Sequence, residues 1–350
     1  MPEDVSISVV IPAHNRAAVI QRSLDSVLRQ TRPAQEIIVV NDGSSDDTAS
    51  VCEKMSGAGV RIVTLAEKNG AQKARNAGIR AAAGDWIAFQ DSDDEWLPQK
   101  LAKQVARLRE VAFHPDTVVY SDCFVQTGAD GAREIWRRPH IEGESVLREV
   151  LIQNGPLFQG LLTSKAALEK MGLLDENVQA YQEWETSIRL SRFCRFLHVR
   201  EPLFVYYRHA QESISKNPER RLNGFSYILN KYREEILSLC GVVTWRKHLI
   251  HLFSLCFDMG LWEKKSLYSG QLGLNAHEED RIAINVIINK MSAEDWPAAD
   301  IMLKTLHDPR RAKALILKAL RHTHMNPQAL VSIKRWLSAR PKSRPPSRLD

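Results

Sequence analysis

At 350 residues the chain is longer than one hydrophobic core readily serves, so two units are expected. A composition of 44% hydrophobic and 26% charged residues excludes a disordered or fibrous protein. The formal charge of +6 collects late, from Arg310 and Arg311 through Lys334 and Arg335 to Arg344 and Arg348, which points first to a solvated tail and second to an anionic membrane surface; no nucleic-acid partner is expected.

The first strand is read over Ser6–Ile11, a β-branched run stopped by Pro12. From Ala17 to Gln30 the residues Ile20, Leu24, Val27 and Leu28 share one helical face. A second strand covers Glu36–Val40 and ends in Asn41-Asp42-Gly43, a helix follows over Asp47–Met55, and a third strand covers Arg61–Leu65. Asn69-Gly70 makes a turn into a helix over Ala71–Ala83 bearing Lys73, Arg75 and Asn76, closed by Gly84 in the C′ manner. The fourth strand, Asp85–Phe89, runs straight into Asp91, Ser92, Asp93 and Asp94.

Strands and helices that alternate in this way predict βαβ units, whose crossovers bring the strand C-termini to one edge. His14, Asn15, Asp42, Asn69, Gly70 and Asp91–Asp94 therefore meet along that edge, where open α/β sheets bind ligands. Three carboxylates within four residues repel one another unless a cation or donor sits among them, and hard cations such as Mg²⁺ or Mn²⁺ favour oxygen ligands of this kind. An acidic turn before the helix starting near Pro98 is the plainer alternative.

Beyond the Pro98–Val111 helix and a strand at Thr117–Ser121, the pattern is irregular to about residue 160. Ser164 caps a short helix ending at Gly172, Tyr181–Glu185 opens another, and Phe196–Val199 and Leu203–Tyr207 read as two short strands. From Pro218 the pattern is helical, with an apolar stripe of Leu249, Leu252, Phe253, Leu255, Cys256 and Phe257 expected in a bundle core, while His248, His251, His322 and His324 are expected at the surface. The Arg340–Pro346 segment has the composition of a disordered tail. Five scattered cysteines without a CxxC pair argue against a disulfide framework and a zinc site. No apolar run reaches about 18 residues and no charged-then-apolar leader precedes the first strand, so a cytoplasmic protein is expected, with peripheral contact at the inner membrane face through the basic region as a secondary expectation.

No GxGxxG follows the first strand, which leaves the dinucleotide reading weak, the absence of GxxxxGK[ST] removes the P-loop reading, and no HExxH or GxSxG appears in a fitting context. The segments SVVIPAHNR (8–16), VVNDGSSDDT (39–48), NGAQKARNAGI (69–79) and GDWIAFQDSDDEW (84–96) resemble, in order and spacing, the family 2 glycosyltransferases. The resemblance covers residues 5–110 closely and continues more loosely to about 215. It implies a GT-A fold, a mostly parallel Rossmann-like α/β sheet flanked by helices, in residues 1–215. Within it, 1–110 would be the nucleotide-sugar half and 111–215 the acceptor half, followed by a helical region at 216–335 and a basic tail at 336–350.

The same resemblance implies roles for individual residues. Pro12, Ala13 and Asn15 match the first nucleotide-contacting loop; Asp42 matches the acid that reads the base, usually uracil, although Asn41 stands where Asp is commoner. Lys73, Arg75 and Asn76 match the lining of the nucleotide pocket. Asp91-Ser92-Asp93 matches the DXD signature, with Asp93 as the main metal contact and Asp91 or Asp94 supporting ribose and metal. Gln182-Glu183-Trp184-Glu185 matches the catalytic-base motif, with Glu183 in the place of an Asp, and Arg208 and His209 match a loop that approaches the diphosphate. Together these imply an inverting transferase that uses Mn²⁺ or Mg²⁺ and moves a sugar from a nucleotide sugar, UDP-linked by preference, to a glycan or lipid-linked hydroxyl in cell-surface polysaccharide synthesis. A nucleotidyltransferase and a nucleotide-binding scaffold without a competent base are the competing readings.

Overall fold

The computed structural model describes residues 5–128, 131–208 and 217–292, with Met302, Leu306, His307 and Ile316. His209, His322, His324 and the basic segment at 336–350 lie outside the described residues. The chain divides into two compact units, Met1–Gly224 and Phe225–Asp350.

In the first unit, β1 (Ile7–Ala13), β2 (Glu36–Asp42), β3 (Val60–Leu65) and β4 (Trp86–Phe89) alternate with α1 (Ile20–Leu28), α2 (Thr48–Glu53) and α3 (Ala71–Ala81). They pair in parallel in the order β3-β2-β1-β4, so their C-terminal ends share one edge as expected. Every residue of β1 and β4 is buried, because helices cover both faces of the sheet. On one face Ile7, Val9 and Ile11 pack in a single cluster with Ile20, Leu24 and Val27 of α1 and with Leu101, Val105 and Leu108. Each such side chain contributes roughly 1.5–3 kcal/mol on burial.

Two local expectations are corrected. Pro12 does not stop β1, which continues to Ala13. Its β4 partner ends opposite Val10, so the missing N–H falls where one neighbour is already gone. Gly84 is not a left-handed helix cap either, since α3 gives way to an extended Ala82. Gly84 answers a close approach instead: a Cβ there would lie 2.7 Å from Ser8 Oγ, which accepts the Gly84 N–H at 2.8 Å.

The sheet continues through β5 (Glu95–Trp96), α4 (Lys100–Arg109), β6 (Thr117–Thr127), β7 (Arg133–Trp136), α5 (Leu147–Ile152), β8 (Leu162–Ser164), α6 (Lys165–Lys170), α7 (Gln182–Leu190) and β9 (Arg195–Arg208). The nine strands run β3-β2-β1-β4-β8-β6-β9-β5, with β7 pairing Cys123–Gln126 of β6, beyond the β8 contact at Val118 and Val119. Ser164 caps α6 as expected, accepting the Ala167 N–H. The two short strands expected after Phe196 are one strand. Against β6, Ser121 faces Val199 and Asp122 faces Pro202, so Arg200 and Glu201 bulge out without breaking the pairing.

The second unit is helical. The chain enters it within α8 (Pro218–Lys231) and continues through α9 (Arg233–Glu235), α10 (Gly241–Asp258), α11 (Lys265–Gln271) and α12 (Ala276–Ser292). Most of the expected stripe is core: Leu249, Leu252, Phe253, Leu255 and Cys256 are buried, and Phe257 is half-buried. His248, expected at the surface, is buried as well, edge-on to Phe225. No helix among the described residues is long and apolar enough to cross a membrane.

Candidate active site

The site is built along the C-terminal edge of β1, β2 and β4. β1 delivers Pro12 and Ala13, both buried, and then Asn15, which turns the chain at φ +52° and accepts the Ser45 N–H. The loops after β1 and β2 are thus tied to each other, and His14 Nδ1 reinforces the tie 2.8 Å from the Asp42 carbonyl. Asp42 is 3% exposed, and its carboxylate accepts the N–H groups of Asn69 at 2.7 Å and Gly70 at 2.8 Å. It therefore does not cap α2. It fixes the entrance to α3, where Gly70 takes φ +94°. Each carboxylate oxygen keeps a second lone pair for a ligand N–H.

On α3 the three expected residues separate. Lys73 is exposed, with Nζ donating to Asn69 Oδ1 at 2.7 Å. Asn76 is buried and faces the loop before α7, donating to the Leu174 carbonyl and Glu176 and accepting the Leu174 N–H. Arg75 is 4% exposed and lies over the Phe158 ring at 4.2 Å. It donates to Asp91 Oδ1 at 2.8 Å, Gln182 Oε1 at 3.0 Å and Gln72 Oε1 at 3.1 Å.

The acidic residues after β4 point to different partners. Asp94 is buried and accepts the Tyr207 N–H at 2.8 Å and a Gln159 amide N–H at 2.6 Å; Gln159 Nε2 also donates to Asp91 at 2.6 Å. Burial foremost, then the charges of Asp93 and Asp91, push the Asp94 carboxyl well above the ordinary range. Ser92 is buried. Asp93 is paired with Arg16 at 3.6 Å, and its carbonyl accepts from Arg22. Among the described residues no three acids, histidines or cysteines gather as a metal cage. The part-exposed carboxylates of Asp93 and Asp91, 23% and 27% open, do fit a hard cation held by one or two carboxylates and otherwise by substrate phosphates.

Glu183 lies in the first turn of α7, partly exposed, with Asn154 Nδ2 at 3.4 Å from Oε1. Its neighbour Trp184 is buried and donates Nε1–H to the Val150 carbonyl at 2.7 Å. Burial pushes the Arg138 guanidinium down, and among the charges that oppose this the Glu183 carboxylate is the strongest. Arg208 is exposed at the end of β9. Arg75 thus joins Asp91 to Gln182, the residue before Glu183, while Asp42 holds the entrance to the same helix, α3.

Gln159, Gln182 and Arg138 have no counterpart among the residues expected from sequence. Gln182 was inside a quoted motif; Gln159 sits in a stretch without periodicity, and nothing local distinguishes it. Two surface cavities of about 500 and 360 Å³, one lined by Asp85 and Lys165 and one by Asp116 and Arg195, belong to other faces and contain none of these residues.

A curled, mostly parallel sheet with acids on the C-terminal edge defines the GT-A class of glycosyltransferases. S. aureus TarS residues 1–349, solved in complex with UDP-GlcNAc, superposes with a TM-score of 0.57 at 20% identity, covering 90% of this chain and 85% of that one. The model of the family described as Glycosyl transferase family 2 matches residues 8–160. The amylovoran biosynthesis glycosyltransferase AmsB of Erwinia amylovora is 28% identical over 212 residues, 59% of this chain and 70% of its own. WfgD of Escherichia coli, a UDP-Glc:alpha-D-GlcNAc-diphosphoundecaprenol beta-1,3-glucosyltransferase, is 36% identical over 106 residues, 30% of this chain and 42% of its own. Residues 8–160 thus match the family 2 glycosyltransferases, a transferase family, and both relatives are named glycosyltransferases.

Proposed function

We propose that the protein transfers a sugar from a UDP-sugar to a hydroxyl of a glycan or lipid-linked acceptor, with inversion, in the synthesis of a polysaccharide. The observation that carries this is the Asp91–Arg75–Gln182 chain, which ties the acidic donor edge to the helix turn bearing Glu183. A relative named for amylovoran biosynthesis and a fold neighbour holding UDP-GlcNAc support the donor and product class.

In this reading the uracil meets Asp42, whose free lone pairs accept its N3–H, and the loop of Pro12, Ala13 and Asn15 lines the nucleotide. Lys73 flanks the same edge with an exposed ammonium, and Arg208 approaches the diphosphate. Asp93, with Asp91, would hold Mn²⁺ or Mg²⁺, which when bound offsets the charge of the departing nucleoside diphosphate. Asp94, spent on Tyr207 and Gln159, shapes the loop that presents them. Glu183 accepts the proton of the acceptor hydroxyl as that oxygen forms its bond to the anomeric carbon and the bond to the diphosphate oxygen breaks. One displacement of this kind inverts the centre.

The test is Glu183→Gln. UDP release in the presence of acceptor is expected to fall by roughly 10²–10⁴-fold, the range of a lost general base, with UDP affinity retained. Equal turnover by the variant would refute Glu183 as the base. Tight UDP binding by a wild type that releases no sugar would favour a scaffold.

A further inference from the structure

We infer that Arg75 is a positioning residue that fixes the base through Gln182, not a ligand of the nucleotide. The inference rests on Glu183 as the base. Sequence resemblance places Arg75 in the nucleotide pocket, but both terminal nitrogens are already engaged: one with Asp91, the other with Gln182 and Gln72. The side chain is buried and stacked on Phe158, so it has little freedom to turn toward a donor.

Among the described residues the Glu183 carboxylate has one hydrogen-bond partner, Asn154 at 3.4 Å, and is attracted by the Arg138 charge. Its placement is therefore inherited from the main chain of the first turn of α7. That turn starts from Tyr181 in the left-handed region at φ +59°, and the Tyr181 carbonyl accepts the N–H groups of Trp184 and Glu185. On one side Trp184 is tied to Val150. On the other the Gln182 amide is held at both ends, Oε1 accepting from Arg75 and Nε2 donating to the Val178 carbonyl at 3.1 Å. Without Arg75 only the Val178 end remains. Because the same guanidinium grips Asp91, one side chain sets the distance between the donor edge and the base.

The test compares Gln182→Met, Gln182→Glu and Arg75→Lys in the full chain. Release of UDP from UDP-glucose, UDP-GlcNAc and UDP-galactose is followed with Mn²⁺, and UDP affinity is measured by calorimetry. Gln182→Met is expected to lower kcat by about tenfold or more, the effect of a displaced catalytic group, with donor KM and UDP affinity within about twofold. Gln182→Glu keeps an acceptor for Arg75 and is expected to restore the rate, which a merely structural loss would not allow. Arg75→Lys, unable to span three acceptors, is expected to lose at least as much kcat as Gln182→Met. Full activity of Gln182→Met alongside lost UDP affinity in Arg75→Lys would overturn the inference in favour of a nucleotide contact. That result with an inactive Glu183→Gln refutes only the positioning role; an active Glu183→Gln refutes the base itself. Should none of the three donors be turned over, hydrogen exchange decides: Gln182→Met is expected to speed exchange at residues 182–186 alone, and unchanged protection there refutes the tie.

Discussion

The two halves of the first unit solve different problems with the same sheet. From β1 to β4 the strands are parallel, wholly buried at β1 and β4, and end in loops whose backbone N–H groups donate to Asn15 and Asp42 across the edge. From β6 to β9 the strands are mixed in direction, bulged and partly open, with Trp136 and Ile135 of β7 exposed. The first half fixes its site by backbone; the second fixes it by long side-chain ties such as Arg75 to Gln182 and Trp184 to Val150. On the proposed reading, the tied loops would receive the nucleotide and the turn of α7 would present the base to the acceptor.

That contrast can be broken at several points. Glu183→Gln carries the largest expected effect, the roughly 10²–10⁴-fold loss of turnover already stated, confined to chemistry. Gln159→Met comes next. It removes the amide shared by Asp91 and Asp94 and leaves two carboxylates without their common donor, for a cost of about 3 kcal/mol in urea unfolding, since hydrogen bonds to charged groups are worth more than neutral ones. A smaller loss would mean that the two halves are not joined at this point. Asp42→Asn exchanges one acceptor for a donor facing the Asn69 and Gly70 N–H groups. It is expected to cost about 1–3 kcal/mol and to weaken UDP binding, both readable on one sample by melting with and without UDP.

The smallest effect has the opposite sign. Lys100 is wholly buried, lies 3.9 Å from the Trp96 ring centroid, and hydrogen-bonds to the neutral Gln104. Burial alone pushes its ammonium well below the usual range. The unfolded chain therefore holds this proton more tightly than the folded one, and wild-type stability is reduced at every pH below the unfolded value near 10.4. Lys100→Met is expected to gain about 1 kcal/mol at pH 7, as replacement of a buried charge by an apolar side chain often does, with the gain shrinking as pH rises toward 10. A loss of stability at pH 7 would show that the Gln104 contact outweighs the burial cost.

The difference between the halves also explains what the sequence made legible. Strands β1, β2 and β4 were readable because a strand buried on both faces is a continuous apolar run between turn residues, as in Val9-Val10-Ile11 and Ile37-Ile38-Val39-Val40. β9 was read as two strands because Arg200-Glu201-Pro202 interrupts the pattern, and a bulge leaves no mark that separates it from a loop. Asp42, Asp91 and Glu183 stood out through motif order. Gln159 did not, since its meaning comes only from Trp96 and Gln104, which bond the carbonyls of residues 159 and 160 and turn its side chain to the acids. Asn76 looked like a pocket residue by its place on α3, yet its amide is used within the fold.

The central claim is that a pyrophosphate sits beside acids that would otherwise repel it, through a divalent ion on Asp93. Calorimetric titration of UDP into the wild type and Asp93→Asn, each with Mn²⁺ and with chelator, tests this directly. The account predicts binding that needs Mn²⁺ in the wild type and is weakened by about tenfold or more, with the metal dependence gone, in Asp93→Asn, as expected when a shared cation loses its protein ligand. Equal UDP affinity in all four titrations would contradict it.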